Sequence, residues 1–505
     1  MVFHSYQFIF GFLPLVYVGY LAAHRLGGWT CAFRFLAVAS LVFYGLFSPK
    51  LTLVLAASVV GNYLIGDMIE RYRDQPKRAW HLLIAAIAVN ILALGYFKYS
   101  NFLIDIANAV IGSETPHIKL LIPVGVSFFT FVQIGYLVEV YNGQAKKPGF
   151  ERYAIFAAFF PCVTAGPLVL QREMLDQMHN RTDSPFSGDR IAVGLTMFTI
   201  GLFKKVVLAD SIAPFADQVF NGVTGGAALS SATAWLGALA YALQLYFDFS
   251  GYSDMALGLG TIFGLKLPLN FDSPFKATSI SDFWRRWHIT MTRFFTTYVF
   301  SPLAMRGMRR AVGQRKGPVE KFLLTGALPA VATFFVAGIW HGAGWTFVVY
   351  GVLHGLAIAV NIAWREMRRP ELPPALGWFL TMSVVVTGLV IFRAANLETA
   401  AIILGHMWLP GFSSAAAATE IVAIDKRMAL SMIILLGSIA LLMPNSQQIM
   451  HRYWVSSDAK PAAVQAAAGL LRWRPSLSIA VALGTTLSIA VASIGAATTF
   501  VYYQF

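Results

Sequence analysis

Residues 321–363 read KFLLTGALPAVATFFVAGIWHGAGWTFVVYGVLHGLAIAVNIA and carry a single Lys, Arg, Asp or Glu, the opening Lys321. The stretch divides into two apolar runs, 321–340 and 344–363, each about long enough to cross roughly 30 Å of hydrocarbon as a helix. Between them stands Trp340-His341-Gly342-Ala343-Gly344-Trp345. Basic clusters close both outer ends: Arg306, Arg309, Arg310, Arg315, Lys316 and Lys321 before the pair, Arg365, Arg368 and Arg369 after it. Short loops rich in Lys and Arg stay on the cytoplasmic side. The spacing therefore predicts a transmembrane helical hairpin with His341 at its tip, away from the cytoplasm.

Working outward, comparable runs lie at about 8–23, 33–48, 51–66, 79–97, 118–141, 153–170, 190–208, 229–247, 375–393, 428–443 and 476–497. The chain has 505 residues, of which 57% are hydrophobic and 12% charged. Soluble domains carry about 25% charged residues, so an ordinary cytosolic enzyme is excluded. The 40 Phe, 19 Tyr and 12 Trp exclude a disordered chain, which would be poor in aromatics. With 38 Lys and Arg against 24 Asp and Glu the formal net charge is +14. The excess sits in short loops, further clusters being Arg71, Arg73, Lys77 and Arg78, then Lys146, Lys147 and Arg152. That placement fits anionic lipid headgroups. No basic, aromatic-interleaved domain exists to bind nucleic acid. Cys31 and Cys162, both in apolar runs, make neither a disulfide framework nor a metal site. The N-terminus lacks the cationic region of a secretory signal, so the first run is expected to remain as a span.

The composition predicts an all-α polytopic membrane protein of about 11–14 transmembrane or re-entrant helices, with residues 1–505 as one integral-membrane domain. Keeping the basic clusters on one side requires 248–302 to cross an odd number of times, yet it holds no clean apolar run. Broken or re-entrant helices are expected there, which survive at membrane depth only when buried in protein or lining a cavity.

Ionisable residues inside such a chain mark function, and three stretches carry them. In Gln244-Leu-Tyr-Phe-Asp248-Phe-Ser250-Gly251-Tyr252-Ser253-Asp254, two carboxylates and two hydroxyls follow an apolar helix. This is either a helix C-terminus with a polar turn or the wall of a polar site; Met255 stands where a serine-hydrolase elbow needs its closing glycine. In Asp282-Phe-Trp284-Arg285-Arg286-Trp287-His288-Ile-Thr290, helical spacing puts Trp284, His288, Met291, Phe295 and Tyr298 on one face. An interfacial amphipathic helix accounts for the arginines but not for a histidine on the tryptophan face. In the third, His341 precedes Gly351-Val-Leu-His354-Gly355. A lone membrane histidine is more often a packing residue than a catalyst, and His354, deeper in its run, reads as structural. No zinc motif, phosphate loop or dinucleotide fingerprint is present, so a buried neutral imidazole is the best remaining base, worth typically about 10²–10⁴-fold.

At these residues the chain resembles the membrane-bound O-acyltransferase superfamily. Its nearest branch looks like the bacterial one containing the alginate O-acetyltransferase membrane subunit and the teichoic-acid D-alanyl transfer protein. The likeness runs through Ser127-Phe-Phe-Thr130, Tyr136, Glu139-Val-Tyr141, Phe160-Pro161, Ala165-Gly166-Pro167, Gly201-Leu-Phe-Lys204-Lys205 and Asp248 to Asp254. It continues through Asn270-Phe-x-x-Pro274, Asp282 to His288, and Trp340 to Trp345 with His354-Gly355. The core motifs occupy about 120–365, and 375–505 would supply C-terminal helices.

The resemblance implies acyl transfer from a cytoplasmic thioester, acetyl-CoA or an acyl carrier protein, to a hydroxyl through a tunnel, with no bound cofactor and no metal. It carries the family's catalytic histidine onto His341 and a second tunnel histidine onto His288. Asp248, Ser250, Asn270, Trp287, Trp340 and His354 are weaker candidates for the lining. It implies O-acetylation of an exported polysaccharide such as alginate or cellulose, in a bacterial inner membrane. The implied partners are a periplasmic SGNH-hydrolase-like acyl acceptor protein and the polysaccharide export machinery. D-alanyl transfer to teichoic acid and a transporter without chemistry are the alternatives. One departure stands out: Phe294-Phe-Thr-Thr-Tyr298 replaces the charged Trp-x-Arg-Asp-Tyr stretch common after the first histidine.

Overall fold

The computed structural model describes residues 1–144, 148–179, 181–412, 422–453, 456–457 and 472–495. Lys146 and Lys147 of one basic cluster, and the last two residues of the 476–497 run, lie outside them. The described residues are helical, with isolated bridges and no strand among them. Among the described residues, seven helices are long and apolar enough to cross a membrane: Gln7–Gly45, Pro49–Arg71, Pro76–Ile111, Gly188–Thr224, Pro318–His341, Trp345–Glu366 and Pro374–Arg393. The fold is all-α and polytopic, as the composition requires.

The chain divides into two compact units. The described residues of 1–203, 251–269 and 446–503 form one, those of 204–250 and 270–445 the other. In the first unit, Gln7–Gly45 breaks at Gly27 and Gly28, the latter at φ 65°. A Cβ on Gly19 would strike the ring of Phe35, sixteen positions on. In a straight helix those positions stand about 24 Å apart, so the two halves double back on each other. The runs 8–23 and 33–48 thus fall in two antiparallel helical arms joined by a glycine turn.

Beside them, polar side chains tie helices together where water is absent. Asn62 and Asn90 exchange amide hydrogen bonds of 3.2 and 2.7 Å, and Gln133 donates to Ser58 Oγ at 2.9 Å while accepting from Tyr153 at 3.2 Å. Such pairs hold helices together in lipid, where apolar contact alone gives little preference for protein over lipid tails.

Two sequence expectations fail and one open alternative is closed, each for a physical reason. The 153–170 run is not a span. It breaks into Phe150–Ala158 and Phe160–Val163, with Pro161 and Pro167 interrupting it, and its residues are buried in protein. The 118–141 run is helical only from Val126 to Tyr141. The polar stretch 248–254 is not at a helix C-terminus but inside the 32-residue helix Ser231–Ile262. Every residue from 240 to 263 is buried, so protein rather than lipid surrounds those carboxylates.

In the second unit, Pro318–His341 and Trp345–Glu366 form the expected hairpin. A Cβ on Gly338 would strike the carbonyl of Phe347, and one on Gly351 the carbonyl of Phe334. Glycine there lets the two backbones touch, the usual way helices approach closely in membranes. Of the 248–302 stretch expected to be broken, 248–262 lies in the continuous Ser231–Ile262 helix, whereas 270–300 is broken: short helices Ile280–Arg286 and Ile289–Phe295 flank a left-handed residue.

Candidate active site

That left-handed residue is His288, at φ 44° and ψ 51°. A non-glycine residue in this region is strained and persists only where its surroundings hold it. Two backbone hydrogen bonds do so, Asp272 N–H to the Arg286 carbonyl at 2.9 Å and Ile289 N–H to the Asn270 carbonyl at 3.0 Å. They bracket an antiparallel pairing of Phe271 with Trp287. Upstream, Ser279 caps the Ile280–Arg286 helix by accepting from Asp282 N–H, and the Asp282 carboxylate holds Arg286 Nε at 3.0 Å. Trp287 is buried, with its indole against Phe271 at 5.1 Å and Phe283 at 5.6 Å. The helix therefore ends at Arg286 and restarts at Ile289. The single face expected for Trp284, His288 and Phe295 does not exist, because the turn rather than a helical repeat aims the imidazole.

Asn270 aims it further. Its Oδ1 accepts from Thr290 Oγ1 at 2.9 Å and from Thr290 N–H at 3.4 Å, which identifies that atom as the carbonyl oxygen. His288 Nδ1 lies 3.0 Å from the same oxygen and must donate to it. The proton is thus on Nδ1, and the lone pair is on Nε2. The ring is fully buried, with the edge of Phe249 at 4.7 Å and Trp340 at 5.9 Å.

Trp340 and His341 end the Pro318–His341 helix. The Trp340 indole meets the His288 ring at 5.9 Å and the His341 ring at 4.9 Å, so one tryptophan touches both histidines. His341 is also bounded by Phe392 at 5.1 Å and Tyr350 at 6.0 Å, yet keeps 6% of its surface. The hairpin tip predicted from charge is where His341 lies. The 22-residue Trp345–Glu366 helix rises about 33 Å, so Arg365 in its last turn sits about a bilayer core away along it.

His354 lies one turn past Tyr350 and is a strut. Trp284 Nε1–H donates to His354 Nδ1 at 3.3 Å, and Ser281 Oγ donates to Asn361 Oδ1 at 2.6 Å on the same helix. Together they tie the short helix before His288 to the hairpin that bears His341. Opposite, a Cβ on Gly388 would come within 2.5 Å of His354 Nε2. Gly388→Ala is expected to lower the thermal midpoint in detergent by several degrees, because overpacking a filled core typically costs about 1–3 kcal/mol. In a His354→Ala background, itself less stable, the same glycine-to-alanine step should cost less. An unchanged midpoint in Gly388→Ala would show that the imidazole does not need that space.

Asp248 is placed differently from expectation. It is fully buried and its Oδ1 lies 2.7 Å from Lys205 Nζ, which also reaches Asp210 Oδ1 at 2.8 Å. A carboxylate so engaged is charge-compensated rather than open to a substrate. Ser250 is buried on the same helix. Lys205 was hidden by its run: an ammonium in 190–208 reads as part of a span, and the signal lay in a single Lys-Lys pair interrupting apolar sequence.

Residues 122–402 match the model of the family described as MBOAT, membrane-bound O-acyltransferase family. A "Peptidoglycan O-acetyltransferase" of Helicobacter pylori is 37% identical over 446 residues, 82% of this chain and 81% of that protein. A "Probable alginate O-acetylase AlgI" of Pseudomonas aeruginosa is 38% identical over 408 residues, 79% of this chain and 73% of that protein. A "Teichoic acid D-alanyltransferase" of Streptococcus thermophilus is 26% identical over 345 residues, 64% and 78% respectively. The matched region contains both histidines, Asn270 and Lys205.

Proposed function

This chain belongs to the membrane-bound O-acyltransferase family, and from that membership we propose that it moves an acetyl group from a thioester to a hydroxyl of an exported cell-surface polysaccharide. The observation that carries the reading is the pair of histidines on one tryptophan, one turned so that its Nε2 lone pair faces away from Asn270. The two O-acetylating relatives above match at 37% and 38% identity and the D-alanyl one at 26%, which supports acetyl over D-alanyl.

In this reading His341 takes the proton of the acceptor hydroxyl as its oxygen attacks the thioester carbonyl. The carbon–oxygen bond forms, the carbon–sulfur bond breaks, and the imidazolium returns the proton to the departing thiolate. The Nδ1–H tautomer of His288 leaves Nε2 as an acceptor, so its suited task is to orient the acceptor through a second, neighbouring hydroxyl, while His341 takes the proton of the attacking one. Stabilising an oxyanion would need a donor at Nε2. Trp340 spaces the two rings, and Asn270 and Trp287 hold the His288 turn.

The donor, acetyl-CoA or an acylated carrier protein, would approach the end bearing Arg306 to Lys321 and Arg365 to Arg369, where its phosphates or acidic surface meet positive charge. The His341 end, opposite along the hairpin, would face the periplasm from a bacterial inner membrane. There an SGNH-hydrolase-like protein and the export machinery would receive the acetyl group.

The rival is a transporter that moves acyl groups or polymer without chemistry. Membranes containing the protein, given an acetyl-labelled thioester and a soluble polysaccharide, should release free thiol in an acceptor-dependent way. Label crossing the membrane with the thioester intact would favour the transporter.

A further inference from the structure

Lys205 stands where a charge is costly and where the acetyl-transfer reading gives it no substrate to touch. It belongs to a π-helical turn, Lys204–Ala209, one of five among the described residues, interrupting Gly188–Thr224; such turns are frequent at functional sites. Its side chain is 3% exposed and that of Asp248 is 0% exposed, while Asp210 keeps 21%. Buried ion pairs are a poor source of stability, since well-packed apolar residues of similar volume commonly do as well or better. What such a pair supplies is one permitted geometry.

Here the geometry bears on His288. A contact of 2.7 Å between Lys205 and Asp248 fixes the rotation of the Ser231–Ile262 helix about its axis. The next residue, Phe249, points about 100° further round and sets its ring edge-on to His288 at 4.7 Å and 84°. A rotation of 10–20° would move a ring standing about 6 Å from the axis by roughly 1–2 Å. Misplacement of about 1 Å near reacting atoms can cost on the order of 10²-fold.

We propose that Lys205 is a positioning residue for acyl transfer, acting through Asp248 and Phe249 on the His288 imidazole. The inference rests on the acetyl-transfer reading but fails separately from it. Purified full-length variants are compared for kcat, KM for the thioester and thermal midpoint. Lys205→Met strands a buried carboxylate and should lose both stability and at least tenfold in kcat. Lys205→Met with Asp248→Leu removes the buried pair, leaves only the part-exposed Asp210 carboxylate without its lysine, and should regain most of the lost midpoint. Its kcat should stay ten- to a hundredfold down, with KM within about twofold of wild type.

Phe249→Leu, which alters no charge, should lower kcat by a similar factor and add little to the double variant. Wild-type kcat in the stable double variant, or in Phe249→Leu should the double variant not fold, overturns the proposal. Full activity in His341→Ala would instead overturn the site reading itself.

Discussion

His341→Ala is expected to lower the rate of acetyl transfer by about 10²–10⁴-fold, the range a positioned general base contributes. The imidazole is the last residue of the Pro318–His341 helix, bounded by Trp340, Tyr350 and Phe392. Losing it also opens a cavity, and deleting a large side chain from a packed site costs a few kcal/mol. His341→Gln keeps most of the volume and a hydrogen-bonding group but no usable base, so it separates chemistry from packing. Both variants should reach the membrane at normal level, and Gln should melt close to wild type. Acetate on purified polysaccharide, normalised to protein in the membrane, is the readout. Normal acetylation by His341→Gln at normal level would remove His341 from the chemistry.

The second large effect is expected at the pair His288 and Asn270. His288→Ala should reduce kcat by at least a hundredfold, because a buried polar acceptor that orients a reactant disappears with the ring. Asn270→Leu should approach the same loss without touching any reactant. It removes the oxygen that fixes the Nδ1 proton and also accepts from Thr290. The double variant should be little worse than His288→Ala, since groups acting through one another are not additive. If Asn270→Leu keeps wild-type kcat while His288→Ala does not, the tautomer is set by something else and the orienting role assigned to Nε2 is wrong.

The hairpin and its tip were legible because charge and hydropathy act there without competition. Two apolar runs, basic outer ends and a polar middle allow one arrangement, and His341 is found in it. The double-back at Gly27–Gly28 was equally legible as two runs, its turn needing only the glycines already visible. Burial in protein was not legible. Residues 153–170 are as apolar as a span, and only tertiary neighbours distinguish a core segment from one facing lipid. Asp248, which sequence left open between a helix end and the wall of a polar site, stands in mid-helix for the same reason, its charge compensated by a lysine 43 positions earlier in sequence.

His288 exposes a different limit. Periodicity placed it on a helix face with Trp284, whereas a left-handed turn held by Asn270 and Trp287 aims it. That turn carries no glycine or proline between Arg286 and Ile289 to announce it. Long-range hydrogen bonds impose it against local preference, as is common where a fold stores strain at a site. The resemblance to known acyltransferases found the histidine; local pattern did not find its geometry.

Reconstitution of the purified protein in lipid vesicles, with acetyl-labelled thioester on one side and a hydroxyl-rich polysaccharide available, addresses the central claim most directly. Expected are label in alkali-labile ester linkage on the acceptor, one free thiol per ester formed, and loss of both products in His341→Gln. Label that passes the membrane still bound as thioester, or esters formed equally well by the glutamine variant, would contradict it.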